Sequence, residues 1–66
     1  MHVLLNGESR QFDDIKTVAE LVERLGLAGK RIAVEHNEMI VPRSRHAETE
    51  LSDNDRIEIV HAIGGG

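Results

Sequence analysis

The sequence predicts an α+β fold in which a mixed sheet of about five strands packs on one helix, in the order β-β-α-β-β-β. Apolar residues alternate with polar ones near both ends of the chain, which is typical of half-buried strands. A single stretch between them has the periodicity of an amphipathic helix. The length of 66 residues leaves room for one small domain with one core.

The N-terminal segment predicts an antiparallel hairpin. Asn6-Gly7 is typical of a type I′ turn, which requires positive φ at both central residues. The flanking strands should cover about residues 1–6 and 8–12. Alternation then places Leu4 on the face of the sheet away from the core. The residues expected on the core face of the first strand are Met1, Val3 and Leu5.

The predicted helix has both a start signal and a stop signal. Thr17 stands three residues before Glu20, the spacing of a capping box. Gly26 ends the helix, because glycine readily takes the left-handed conformation found after a last turn. The apolar stripe between these signals consists of Val18, Leu21, Val22 and Leu25.

The segment after the helix predicts a second hairpin. Ile32 and Val34 alternate with less apolar neighbours, and the residues 36–38 are expected to form a turn. The strand that follows, residues 39–41, runs into Pro42. Because proline has no N–H for a strand ladder, this strand must end there or lie at an edge.

The last part of the chain predicts a loop followed by a final strand. A helical turn is expected near residues 44–48. Asp53-Asn54 should form the turn into the strand, since asparagine tolerates a left-handed backbone. In that strand Ile57 and Ile59 alternate with residues that face outward.

These elements together favour the β-grasp arrangement, in which one helix crosses one face of a mixed sheet. The first and last strands are expected to pair in parallel at the centre of the sheet. We predict one domain over residues 1–63, followed by a flexible glycine tail over residues 64–66. Glycine has the most conformational entropy to lose on ordering and no side chain to bury.

Composition and charge argue against several classes of protein. The chain has no cysteine, so it has no disulfide and no thiolate metal site. A net charge of −4 and a single aromatic residue argue against a nucleic-acid partner. The N-terminus has no signal-peptide pattern and no apolar run is long enough to span a bilayer. We expect a soluble, cytoplasmic protein with no membrane partner.

No arrangement of residues in the sequence predicts an active site. There is no phosphate-binding glycine loop, and the serines have no nucleophile motif. The aspartates lie at turn signals, where they are expected to cap backbone N–H groups. We therefore predict no enzymatic activity, no metal and no cofactor. The histidines lack the spacing of metal ligands and are expected to face solvent: His2, His36, His46 and His61.

The stretches "VPRSRHAETEL" and "DNDRIEIV" and the terminal "GG" are similar to the ubiquitin-like sulfur-carrier proteins of thiamine biosynthesis, the ThiS family. The resemblance extends from "MHVLLNGE" to Gly66. Two positions depart from the family pattern. His46 stands where the family often has a large aromatic residue, and Asn54 where it often has glycine.

The resemblance implies a function for the C-terminus. An E1-like adenylating enzyme of the ThiF type would activate the Gly66 carboxylate with ATP, and a persulfide donor would supply sulfur to give a thiocarboxylate. A thiazole synthase of the ThiG type would accept that sulfur. Gly64 and Gly65 would let the extended backbone pass through a narrow channel of the partner.

A docking surface is expected because a threaded tail loses entropy that contacts elsewhere must offset. The candidates on the outward face of the sheet are Leu4, Ile40 and Val60. The alternative is that these are the isolated outward aliphatic residues of any small domain.

Two alternative functions remain open from the sequence. The same tail suits a ubiquitin-like modifier that forms an isopeptide bond with lysines of target proteins. It also suits a sulfur carrier for another pathway, such as molybdopterin synthesis. Without the family resemblance, the glycine run could be a frayed end or a cloning remnant.

Overall fold

The fold predicted from the sequence is confirmed by a computed structural model that describes residues 1–62. The predicted boundary at residue 63 and the tail over 64–66 lie outside the described residues. Five strands form one sheet in the order β2-β1-β5-β3-β4. The elements in chain order are β1 (His2–Leu5), β2 (Glu8–Gln11), α1 (Val18–Arg24), β3 (Ile32–His36), β4 (Met39–Val41), a 3₁₀ helix (Arg43–Arg45) and β5 (Asp55–His61).

The N-terminal hairpin has the predicted turn. Leu5 pairs with Glu8, so Asn6 and Gly7 form a two-residue connection. Their φ angles are 50° and 84°, both in the left-handed region that a type I′ turn requires.

The last strand occupies the centre of the sheet. It runs parallel to β1, with Val3 opposite Asp55 and Leu5 opposite Ile57. On its other side it runs antiparallel to β3, from Ile32 opposite His61 to His36 opposite Ile57. The predicted parallel pairing of first and last strands is therefore confirmed.

The helix α1 begins with the predicted capping box. The Glu20 N–H donates to Thr17 Oγ1 at 3.2 Å, and the Thr17 N–H donates to Glu20 Oε1 at 3.1 Å. Two N–H groups without partners inside the helix are thereby satisfied. Gly26 follows the last turn with a φ of 75°.

Replacing Thr17 with alanine should destabilise the domain by about 1 kcal/mol, because the side-chain acceptor of the cap is lost. Urea denaturation measures this as a lower midpoint with an unchanged slope. The Thr17→Ser variant keeps the hydroxyl and should stay close to the parent protein. Equal midpoints for the alanine variant and the parent would show that the cap contributes nothing.

The core lies between α1 and the inward face of the sheet. Leu21 of the helix and Ile57 of β5 have no exposed surface. The other members alternate along the strands as predicted or lie on the helix stripe and its flanking loops: Val3, Leu5, Phe12, Ile15, Val18, Val22, Val34, Leu51 and Ile59.

The turn between β3 and β4 is shorter than predicted. His36 pairs with Met39, so the turn consists of Asn37 and Glu38 alone rather than residues 36–38. Both have positive φ, 51° and 74°. A contact with a distant strand accompanies this unusual conformation of Glu38, since Arg56 Nη1 lies 3.0 Å from its carboxylate.

The helical turn after β4 begins earlier than predicted, at Arg43 rather than Ser44, and is a 3₁₀ helix. Pro42 precedes it with a φ of −60°, and its carbonyl accepts a hydrogen bond from the Arg45 N–H at 2.8 Å. Proline is pre-organised for such a position because its ring restricts φ to about this value.

The prediction of a solvent-facing His46 is wrong. This residue is 9% exposed, and its Nε2 lies 3.2 Å from the Val41 carbonyl oxygen. Its own carbonyl accepts a hydrogen bond from the Ala19 N–H in α1 at 3.0 Å. His46 therefore joins the 3₁₀ segment both to β4 and to the helix.

Within residues 1–62, no helix is long and apolar enough to cross a membrane.

Candidate functional site

The residues predicted to carry the chemistry, Gly64, Gly65 and Gly66, lie outside the described part of the chain. What the structure does describe is the strand that leads to them and the surface around it. These two features place a candidate site at β5 and on the outward face of the sheet.

Asn6 extends the pairing between β1 and β5 beyond the end of β1. Its backbone N–H donates to the Ile57 carbonyl at 2.9 Å. Its side-chain Oδ1 accepts from the Ile59 N–H at 2.8 Å, and its Nδ2 donates to the Ile59 carbonyl at 3.2 Å. The side-chain amide thus makes the hydrogen bonds that the backbone of one more β1 residue would make. On the side that faces β1, the hydrogen bonding of β5 therefore extends to Ile59.

Asn37 acts similarly on the other side of β5. Its N–H donates to the Arg56 carbonyl at 2.7 Å, and its Oδ1 accepts from the Arg56 N–H at 2.8 Å. At the far end, the Ala62 N–H donates to the Arg31 carbonyl at 2.9 Å. The strand before the tail is therefore hydrogen-bonded along almost its whole length.

Asp55 organises the beginning of β5. Its Oδ2 lies 2.6 Å from His36 Nε2 and accepts from the Ser52 N–H at 2.8 Å. Its Oδ1 accepts from Asn37 Nδ2 at 3.1 Å. Partial burial raises the pKa of this carboxyl group, but the hydrogen bonds from His36, Ser52 and Asn37 together outweigh it and hold the pKa below its ordinary value of 3.8.

The lowered pKa of Asp55 predicts a contribution to stability that depends on pH. The carboxylate stabilises the fold above its unfolded-state pKa, and this contribution is lost as the pH falls through the lower pKa of the folded state. We expect the Tm of the parent chain to exceed that of Asp55→Asn at neutral pH. This difference should shrink below about pH 4, where the carboxyl group begins to take up a proton. A Tm difference that is constant from pH 7 to pH 2.5 would contradict the assignment.

The three residues predicted for docking are all exposed on the outward face of the sheet. The exposed fractions are 38% for Leu4, 63% for Ile40 and 58% for Val60. Their role in docking stays a prediction. Met39 precedes Ile40 in β4 and so lies on the opposite face, where it is more exposed still at 72%. Its position directly after the turn, in a strand of three residues, is the sequence feature that could have predicted this exposure.

Charged side chains lie among the apolar residues on this face. Leu4 lies opposite Arg56, and Ile40 and Val60 each have a carboxylate beside them. Glu35 of β3 lies opposite Glu58 of β5 on one side and opposite Ile40 of β4 on the other. The carboxylates of Glu35 and Glu58 are therefore neighbours on this face, with Ile40 beside one and Val60 beside the other.

The part of the chain that the structure describes holds no group of three or more histidine or carboxylate side chains arranged to bind a metal ion. The predicted role of aspartates as caps is confirmed for Asp53, whose Oδ1 accepts from the His2 N–H at 2.7 Å. It is also confirmed for Asp55. Asp14 instead pairs with Arg24 at 2.6 Å, which lowers the pKa of its carboxyl group.

Comparison with known proteins decides the family. The sequence profile of the ThiS family matches residues 3–66. The chain belongs to the ThiS family. The resemblance noted from the sequence is thereby confirmed, and the matched region includes the terminal glycines.

Relatives of this ThiS family member support the same assignment. It is 41% identical to the sulfur carrier protein ThiS of Bacillus subtilis over 63 residues, which cover 94% of this chain and 96% of that protein. A crystal structure of the thiamine biosynthesis protein ThiS from Geobacter metallireducens superposes with a TM-score of 0.85 at 29% identity, covering all of both chains.

A much longer protein also contains a ThiS-like segment. The thiazole synthase of Paramagnetospirillum magneticum is 44% identical to this chain over 66 residues. The alignment covers all of this chain but only 20% of that enzyme, so the chain spans about a fifth of its relative's length.

Proposed function

We propose that this chain is a sulfur carrier of thiamine biosynthesis, which holds sulfur as a thiocarboxylate on Gly66. The observation that carries the proposal is the ThiS family match over residues 3–66, which includes the whole glycine tail. In this role the chain is a substrate of other enzymes rather than an enzyme.

The proposed chemistry begins with activation of the carboxylate. One oxygen of the Gly66 carboxylate attacks the α-phosphorus of ATP, and pyrophosphate leaves. The acyl-adenylate is electrophilic, whereas the carboxylate was not. The adenylating enzyme of the ThiF type must bring carboxylate and phosphate into line, and this orientation is the main contribution of such a site.

Sulfur then replaces AMP. The terminal sulfur of a persulfide attacks the acyl carbon, and AMP leaves with the electron pair of the C–O bond. A thiol cleaves the resulting S–S bond, which releases the C-terminal thiocarboxylate and leaves a disulfide. Glycine at positions 64, 65 and 66 keeps the backbone narrow and the acyl carbon open to attack.

We propose a thiazole synthase of the ThiG type as the sulfur acceptor. The thiazole synthase of Paramagnetospirillum magneticum includes a segment that aligns with this entire chain. Two proteins that act on each other gain effective concentration when they are joined in one polypeptide. The partial match therefore supports a partnership between the two activities.

Intact mass spectrometry tests the proposal. The purified chain is incubated with a ThiF-type adenylating enzyme, ATP, a persulfide donor and a thiol. We expect a gain of about 16 Da at the C-terminus as oxygen is replaced by sulfur. A reaction without ATP is the control. If the chain is adenylated without gaining sulfur and then forms isopeptide bonds with lysines of other proteins, the result would instead favour the ubiquitin-like modifier.

A further inference from the structure

We infer that Glu35 and Glu58 bind an arginine or lysine side chain of the protein partner that docks on the outward face of the sheet. The inference rests on the proposed function and specifies the chemistry of the partner's surface. In the free domain, the opposition of these two carboxylates is unfavourable.

Glu35 and Glu58 lie directly opposite each other in the antiparallel pair β3–β5. Side chains in such positions have Cβ atoms about 5 Å apart, and like charges there destabilise a sheet. Within residues 1–62 neither carboxylate takes part in an ion pair. The nearest basic residue on β5, Arg56, pairs with Glu38 instead.

The aliphatic neighbours show what a partner would have to bury. Glu35 lies on β3 between Ile40 of β4 and Glu58 of β5, and Val60 follows Glu58 on the same face. A partner that covers both Ile40 and Val60 therefore approaches the carboxylate beside each of them, Glu35 next to Ile40 and Glu58 next to Val60. Removing a charge from water without a counter-ion is strongly unfavourable.

A cation on the partner's surface offsets this cost, because it neutralises the charge that is removed from water. An arginine fits particularly well, because its planar guanidinium can donate to two carboxylates at once and packs on aliphatic groups. The net charge of the chain, −4, also favours association with a positively charged surface.

The covalent chain requires the partner to approach this region. Val60 is six residues from Gly66, a distance of at most about 22 Å for an extended backbone. An enzyme that holds the Gly66 carboxylate in its active site therefore stands close to the strand that carries Glu58 and Val60.

The test compares two double variants with the same loss of charge. Glu35→Gln/Glu58→Gln removes the opposed pair, whereas Glu8→Gln/Glu23→Gln removes two exposed carboxylates from β2 and α1. Isothermal titration with the ThiF-type adenylating enzyme measures Kd at 50 and about 300 mM salt, where exposed charges are increasingly screened.

We expect the Glu35→Gln/Glu58→Gln variant to bind about tenfold more weakly and with a smaller dependence on salt. Its Tm should be no lower than that of the parent, because a like-charge repulsion is removed. The Glu8→Gln/Glu23→Gln control should keep the parent Kd. Equal Kd values for the two double variants would overturn the inference.

The mass gain at Gly66 separates this inference from the proposed function. If the parent chain gains sulfur but the two double variants bind equally, the carrier function stands and the role of the carboxylates is refuted. If the parent chain neither binds the enzyme nor gains sulfur, both are refuted.

Discussion

Deletion of Gly66 is expected to reduce thiocarboxylate formation by about 100-fold or more. The deletion withdraws the reacting carboxylate by one residue, or about 3.5 Å of extended backbone. An adenylating site that is built around one position of the carboxylate loses its near-attack geometry at displacements of about 1 Å. Initial rates from intact mass spectra, with ATP and persulfide donor in excess, measure the effect.

The Gly66→Ala variant is the length-matched control for this deletion. It keeps the number of residues and adds only a methyl group beside the acyl carbon, so its rate should fall between those of the parent and the deletion. Both variants should unfold at the Tm of the parent if the domain ends before the tail. A deletion variant that gains sulfur at the parent rate would contradict the assignment of Gly66 as the reacting residue.

Replacing Leu21 with alanine is expected to destabilise the domain by about 2–5 kcal/mol. Leu21 has no exposed surface and lies in the helix stripe that covers the sheet. A small domain has a total stability at the low end of about 5–15 kcal/mol, so this variant should retain only about 0–3 kcal/mol. Urea denaturation followed by circular dichroism measures the loss.

Leu4→Ala is the matched control, because it removes the same atoms from an exposed position. Leu4 lies on the outward face of β1 with 38% of its surface exposed. Its replacement should change the free energy of unfolding by less than about 1 kcal/mol. Similar losses for the two variants would mean that the helix stripe is not the main source of stability.

Sequence rules succeeded where the determining residues are close together in the chain. Asn6-Gly7 specifies a turn because both residues accept positive φ, and their measured angles agree. Thr17 and Glu20 form the predicted capping box for the same reason, since both partners belong to one helical turn. Period-two alternation also placed Ile57 and Ile59 on the buried face of β5.

The errors of the sequence analysis involve contacts between distant segments. Glu38 adopts positive φ without being glycine, and the Arg56 side chain that pairs with it is 18 residues away. His46 is buried because the 3₁₀ segment lies against both β4 and the helix, where its carbonyl accepts the Ala19 N–H. Nothing in the local sequence around either residue predicts these contacts.

The candidate site was only partly predictable for the same reason. Alternation along a strand is enough to place Leu4, Ile40 and Val60 on the outward face. The opposition of Glu35 and Glu58 is different, because it depends on the register between two strands that are 23 positions apart in the chain. A shift of that register by two residues would separate the carboxylates and leave the alternation unchanged.

The Asn6 side-chain bonds to Ile59 have a mechanical consequence. A pull on the end of the chain along the axis of β5 loads this strand in shear. Strands flank β5 on both sides, and their hydrogen bonds to β5 lie across its axis. A load along that axis therefore acts on many hydrogen bonds at once and does not open them one after another. The Asn6 side-chain amide adds two hydrogen bonds to Ile59, close to the C-terminal end of β5. The chain can therefore be held under tension without separation of its last strand from the sheet.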